Sequence, residues 1–172
     1  MTTPRIRDRI KELRRVPASD LQAHPRNWRV HPEYQRRAMA DLLGEIGYAD
    51  ALIAREADDG TLILIDGHLR SEVTPDETVP VLVLDVTEAE ADKLLVTLDP
   101  LAAMALRDED ALKGLLDEIQ TDSGAVQEML DGLRAGLDIP LPGFAPVSVE
   151  DQSELDRKNA ITCPECGHEF IN

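Results

Sequence analysis

The strongest constraint on this chain is the punctuation of its middle third. Three short runs rich in Leu, Ile and Val, at Ala51–Arg55, Thr61–Ile65 and Val79–Val86, are each bounded by turn residues and each too short for a stable helix. Asp59-Gly60 between the first two is a tight-turn pair, so these runs are expected as a hairpin or as neighbouring strands. Pro80 stands at the start of the third run, where a missing backbone N–H costs a strand least. Helical spacing lies on both sides. Residues 33–46 place Tyr34, Met39, Leu42, Leu43 and Ile46 on one face and end at Gly47, a C-cap glycine. Thr87 and Glu90 form a capping-box pattern for a helix running through Leu94, Leu95 and Leu98 toward Pro100. Strands and helices interleaved in this way predict an α+β fold, a small mixed sheet with flanking helices.

Around this centre the chain divides into further segments. Ile6, Ile10 and Leu13 recur at helical spacing among Arg5, Arg7, Arg9, Lys11, Arg14 and Arg15, so residues 1–15 are expected to form a basic amphipathic helix ended by Pro17. Leu21 to Pro32 reads as an extended arm, and the central domain is expected over 16–105. Two more helices, at 108–119 and 123–137, make a helical extension over 106–138. Prolines and acidic residues mark 139–160 as a linker, and 161–172 is a short cysteine-containing tail.

Charge narrows the classes of partner. The formal net charge is −16, yet residues 1–37 hold ten Arg and Lys against four Asp and Glu, while the remaining 135 residues hold eight against thirty. Direct contact with DNA phosphates is therefore expected from the N-terminal segment or through a partner protein, because the acidic remainder repels a duplex. Aromatic residues are only 3% of the chain, too few for a stacking platform for single-stranded nucleic acid. No stretch of about 18 apolar residues is present and no apolar leader follows Met1, so a soluble, cytoplasmic protein without membrane contact is expected.

The sequence Asp66-Gly67-His68-Leu69-Arg70 follows a strand and opens a helical turn, where glycine lets backbone amides approach an anion and a guanidinium matches phosphate oxygens bidentately. Arg70 pairing with Asp66 or Glu72 is the plain structural alternative. His24-Pro25-Arg26-Asn27-Trp28-Arg29, the helix-glycine-strand element from Leu42 to Ile53, Ile65-Asp66-Gly67-His68-Leu69-Arg70 and Val79-Pro80-Val81-Leu82-Val83 together resemble the N-terminal domain of the ParB/sulfiredoxin superfamily. The likeness is to stand-alone members from phages and mobile elements, often accompanied by DNA methyltransferases or other modification proteins.

That resemblance implies a site for a nucleoside triphosphate, CTP or ATP with or without Mg, built from Gly47, Gly67, His68 and Arg70, with Asn27, Arg29 and Asp99 alongside. Asp99 stands where the family has an asparagine, and the arginine that normally follows is absent. His68 replaces the family's glutamate, or the reactive cysteine of sulfiredoxins, so redox chemistry of that kind is not expected. A nucleotide- or phosphate-binding module acting in DNA transactions is the function implied. The alternative is a nuclease or nucleotide-dependent phosphotransferase with Asp66 and His68 as catalytic residues, His24 and His31 lining the same pocket if the arm folds over the turn. A pure adaptor using the helical extension and the tail is a third class.

Cys163-Pro164-Glu165-Cys166-Gly167-His168 resembles one knuckle of a zinc ribbon, two thiolates on a tight turn supplying half of a tetrahedral site. His168, a distant histidine, or the same pair of cysteines from a second copy in a homodimer would complete it; an unmetallated or redox-active pair are the other readings.

Overall fold

The computed structural model describes residues 6–136, 160–162 and 169–171. The chain divides into two compact units, Met1–Ile139 and Pro140–Asn172. The first is built on a five-stranded mixed sheet in the order β1-β5-β3-β4-β2, with β1 at Ile10–Pro17, β2 at Leu21–Gln22, β3 at Leu52–Glu56, β4 at Leu62–Asp66 and β5 at Thr78–Leu84. β3 runs parallel to β5 and β2 parallel to β4, while β1–β5 and β3–β4 are antiparallel. The helices are α1 (Glu33–Ile46), α2 (His68–Val73), α3 (Glu88–Ala103), α4 (Glu109–Glu118) and α5 (Gly124–Arg134). An α+β fold with flanking helices is what the interleaved runs predict.

Two-residue alternation explains which face became the core. Leu52 and Ala54, Leu62 and Leu64, and Val79, Val81 and Val83 share one face, all buried, and close over Ala18 with Val16, Leu21 and Tyr48 packed against them. Of the opposite positions, Ile65 and Pro80 are buried and Ile53, Arg55, Ile63, Leu82 and Leu84 are half-buried.

The N-terminal segment departs from its helical spacing. Ile10–Pro17 is a strand, paired along its length with β5 from Ile10↔Leu84 to Pro17↔Thr78. A lone helix gains one hydrogen bond per residue only after a costly nucleus, whereas the β-branched β5 offers a ready ladder, and the pairing outweighs local preference. The charged side chains then anchor the strand sideways. Arg9 forms a two-bond fork on Glu90 at 2.8 and 3.0 Å, and Lys11 and Arg14 both reach Glu56, at 2.5 and 3.0 Å.

Glu90 belongs to the capping box of α3, where the Thr87 hydroxyl accepts from Glu90 N and the Glu90 carboxylate accepts from Thr87 N. α3 does not stop before Pro100 but carries it in its last turn, where the missing N–H forfeits a single hydrogen bond. Asp108 and Ser123 cap α4 and α5 through Ala111 N and Val126 N. α5 folds back on α1 and α4 packs against α5, with Thr121 Oγ1 in the connecting loop donating to Glu45 at 2.9 Å and Ser123 Oγ to Asp41 at 2.6 Å, so the extension shares one compact unit with the sheet. Among the described residues no helix is long and apolar enough to cross a membrane.

In the second unit, β6 (Ala160–Thr162) and β7 (Glu169–Ile171) pair antiparallel with Thr162 opposite Glu169. Cys163, Cys166 and His168 lie in the segment joining them, outside the described residues.

Candidate functional site

Gly67 caps α2 with φ 91° and ψ 17°, a left-handed conformation that L side chains adopt only at a cost. Packing imposes a second demand, since a Cβ at this position would fall 2.6 Å from Leu52 Cγ, in the fully buried start of β3. Glycine is thus required twice. The turn throws Arg70 back along the strand end, where Nη2 meets Asp66 Oδ2 at 2.8 Å and Nη1 meets Asp50 Oδ2 at 2.6 Å, with the guanidinium side chain only 14% exposed. Asp50 lies in the loop that follows Gly47, whose φ of 85° ends α1; nothing would touch a Cβ there, so backbone conformation alone calls for glycine. The hydrogen bond from Arg70 holds the Asp50 carboxyl below the usual carboxylate range. Tyr48 adds a hydroxyl contact to Thr74, whose own hydroxyl donates to Arg70 O at 2.7 Å. The structure therefore brings Gly47, Gly67, Asp66 and Arg70 to one place, with Asp50 as the member that spacing did not mark.

His68 faces the other way. Residues two apart on a helix point to nearly opposite sides, so the Asp66–Arg70 pair looks toward the Gly47 loop while His68 and Glu72 look toward the arm. His68 is 6% exposed, and its Nε2 accepts from the backbone N–H of His24 at 3.2 Å. Burial pushes its imidazole below the ordinary histidine value, with the Asp66 charge opposing and His31 and His24 adding to the depression. His24 is itself buried: its Nδ1 accepts from Arg26 N at 3.2 Å and its Nε2 lies 3.6 Å from Asp92 Oδ1 on α3.

The arm is thereby stitched alternately to two helices. His31 Nδ1 reaches Glu72 on α2 at 3.0 Å, Arg26 reaches Asp92 on α3 at 2.6 Å, and Arg29 reaches Asp99 further along α3 at 2.6 Å. Asn27 Oδ1 accepts from Arg29 N at 3.3 Å, a local turn that aims the arginine, and its guanidinium stacks 4.7 Å from the Trp28 ring.

The expected cluster is in part assembled and in part divided. His24, His31 and His68 do come together as the arm closes on α2. Asp66 and His68, adjacent to Gly67 on either side, serve different faces: one carboxylate is held by Arg70 and the one imidazole nitrogen with an assigned bond is occupied by backbone. Asn27, Arg29 and Asp99 form a third group along α3. Asp92 and Glu72 complete the arm's attachment, and only the three-dimensional path of the arm reveals them. Among the described residues no group of three or more His, Cys, Asp or Glu is arranged to hold a metal ion. An open cleft of about 430 Å³ lies elsewhere, lined by Arg9, Lys11, Glu56 and Asp85; Lys11 pairs with Glu56 there, while Arg9 turns to Glu90 on α3.

The chain matches no family model and no curated protein sequence. Similar solved structures include three ParB proteins or domains. The C-terminally truncated chromosome-partitioning protein ParB from Caulobacter crescentus complexed with CTP-gamma-S superposes with a TM-score of 0.52 at 17% identity, covering 73% of this chain and 72% of that one. The same truncated ParB complexed to the centromeric parS site gives a TM-score of 0.43 at 16% identity, over 72% of this chain and 78% of that one. A Pnob8-like ParB-N domain gives 0.41 at 16% identity, over 94% of this chain and 59% of that one. At such identity the first of these likenesses is one of architecture, and it says that the mixed sheet with flanking helices is a ParB-like fold.

Proposed function

We propose that this chain is a nucleotide- or phosphate-binding module that acts in DNA transactions, with the Gly67 turn and Arg70 as the anion site. The observation that carries the proposal is the convergence of two glycine-bearing loops on one guanidinium: Arg70, largely buried, is reached from the Gly67 turn and from the loop after Gly47. A similar architecture that holds a CTP analogue supports the choice of ligand class. Phosphate oxygens fit the guanidinium fork if the exposed Asp50 carboxylate yields its place, since Asp66 alone suffices to orient Arg70. CTP and ATP, with Mg to offset the two carboxylates, are the ligands to compare. Gly47, Gly67, His68, Arg70, Asn27, Arg29 and Asp99 remain the proposed surroundings. DNA is reached through a partner, for which a modification enzyme such as a methyltransferase in a phage or mobile element is the proposed context. A zinc-bound Cys163–Cys166 knuckle, completed by His168 or by a second copy, is proposed for the tail, and its place between two paired strands supports it.

The engagement of Asp66 by Arg70 and of His68 by backbone favours binding over a nuclease or phosphotransferase reaction. Thermal-shift titration with CTP, ATP and inorganic triphosphate tests the proposal. Wild type is expected to be stabilised by at least one of them and Arg70→Lys to lose that gain while keeping its fold, because an ammonium cannot form the fork. No shift in wild type with any of the three overturns it.

A further inference from the structure

The half-buried side of the central sheet carries an unassigned surface. In a two-layer α+β unit the helices cover one face, and a sheet face with apolar residues is stable in water only when it is small, screened or occupied. On this side the register aligns Leu13 of β1, Leu82 of β5 and Ile53 of β3 in one row, with Leu84 in the next. Leu13 is 59% exposed, and Ile53, Leu82 and Leu84 are half-buried. α3 meets the sheet chiefly through β4, where Ile65 of this face is buried, and the exposed residue of the row is Leu13 on β1.

Charge identifies the occupant. Cations in this acidic chain are mostly consumed by carboxylates: Arg9 on Glu90, Lys11 and Arg14 on Glu56, Arg26 on Asp92, Arg29 on Asp99, Arg70 on Asp50 and Asp66. Arg15 and Arg55, like Arg37, Lys93 and Lys113, have no such partner among the described residues. Both belong to this face, Arg15 opposite Pro80 and Arg55 opposite Leu84, so they bracket the Leu13–Leu82–Ile53 row from opposite corners. We infer that this face is a docking surface for an acidic amphipathic helix of a partner protein, its apolar stripe laid on the row and its flanking carboxylates on Arg15 and Arg55. A second copy of the same face is a poorer occupant, since it sets two unpaired arginines against two more. Nucleic acid is poorer still, because two cations among leucines and isoleucines offer neither a phosphate track nor an aromatic platform.

The test uses the full chain and a synthetic helix carrying leucine on one face, glutamate beside it and alanine elsewhere, against the same helix with lysine replacing glutamate. Saturable binding of the glutamate helix is expected, with methyl resonance shifts confined to Leu13, Ile53, Leu82 and Leu84 and no binding of the lysine helix. Loss of the two ion pairs makes the Arg15→Ser/Arg55→Ser variant weaker by on the order of tenfold. Arg15 is exposed and Arg55 half-buried, and an unchanged melting temperature verifies that variant. Leu13→Ser, at an exposed position, is a second probe expected to weaken binding without unfolding. Absence of saturable binding, equal affinity for the lysine helix, or shifts that fall outside this face overturns the inference. So does dimerisation that buries the face, or an oligonucleotide that shifts the same methyls at lower concentration.

Discussion

At the scale of single residues, Gly67 shows how one position serves backbone and packing together. Gly67→Ala is expected to cost about 2–4 kcal/mol, a sum of left-handed strain and overpacking against Leu52. Gly60→Ala, at φ 86° with open space around it, carries the strain alone and is expected to cost about 1–2 kcal/mol. Urea unfolding of the two variants measures the difference. The need for glycine after the strand was legible in the order strand, glycine, helix; its contact with Leu52 was not, because the partner comes from a strand fifteen residues earlier whose register no local pattern specifies. His68 makes a companion case. Its neutral imidazole accepts a buried backbone hydrogen, and its depressed pKa means that the unfolded chain takes up the proton first as pH falls. Stability from this group is therefore complete above about pH 6.5 and declines below it, with a slope of at most about 1.4 kcal/mol per pH unit. His68→Gln, which keeps an acceptor and removes the titration, is expected to flatten the urea midpoint between mildly alkaline and mildly acidic buffer. An unchanged pH dependence would show that another histidine is responsible.

Elements behave differently, because their identity is decided by what they pair with. The capping box at Thr87 and Glu90 was legible, being wholly local. β1 was not: its apolar spacing fits a helix, and the ladder on β5 that makes it a strand lies some seventy residues further on. The two elements meet at Glu90, which closes the box and also receives Arg9, and these hydrogen bonds hold its carboxyl down to about 2. A carboxylate depressed in the fold contributes above its unfolded value and loses that contribution as pH falls from about 4.5 toward 2, a window distinct from that of His68. Glu90→Gln is expected to free the start of β1, seen as faster amide exchange at Ile10 and Glu12, and to remove part of the acid-induced destabilisation below about pH 4.5. Exchange unchanged in β1 would mean that the ladder on β5 alone fixes the strand.

Across the whole molecule, the uneven charge acquires a physical use. The basic start of the chain suggests phosphate contact when the sequence is read as a line; in three dimensions those cations are the glue between β1, the arm and an acidic body. Arg9, Lys11 and Arg14 bind Glu90 and Glu56, Arg26 and Arg29 bind α3, and among the described residues of the first 37 only Arg15 and Arg37 lack a carboxylate. Exposed pairs are individually weak, so a duplex could compete for some of them, but doing so would unfasten the strand and arm that position His68. The consequence is measurable as a salt dependence. Ten phosphate contacts would give a log–log slope near about −9, whereas two or three give about −2 to −3. The shallower slope is expected for the chain alone on random duplex DNA. Replacing Arg9, Lys11 and Arg14 with alanine should then lower the melting temperature while leaving duplex affinity nearly unchanged. A slope steeper than about −6, lost in that triple variant, would instead assign the N-terminal segment to DNA and leave the partner protein without a role in reaching it.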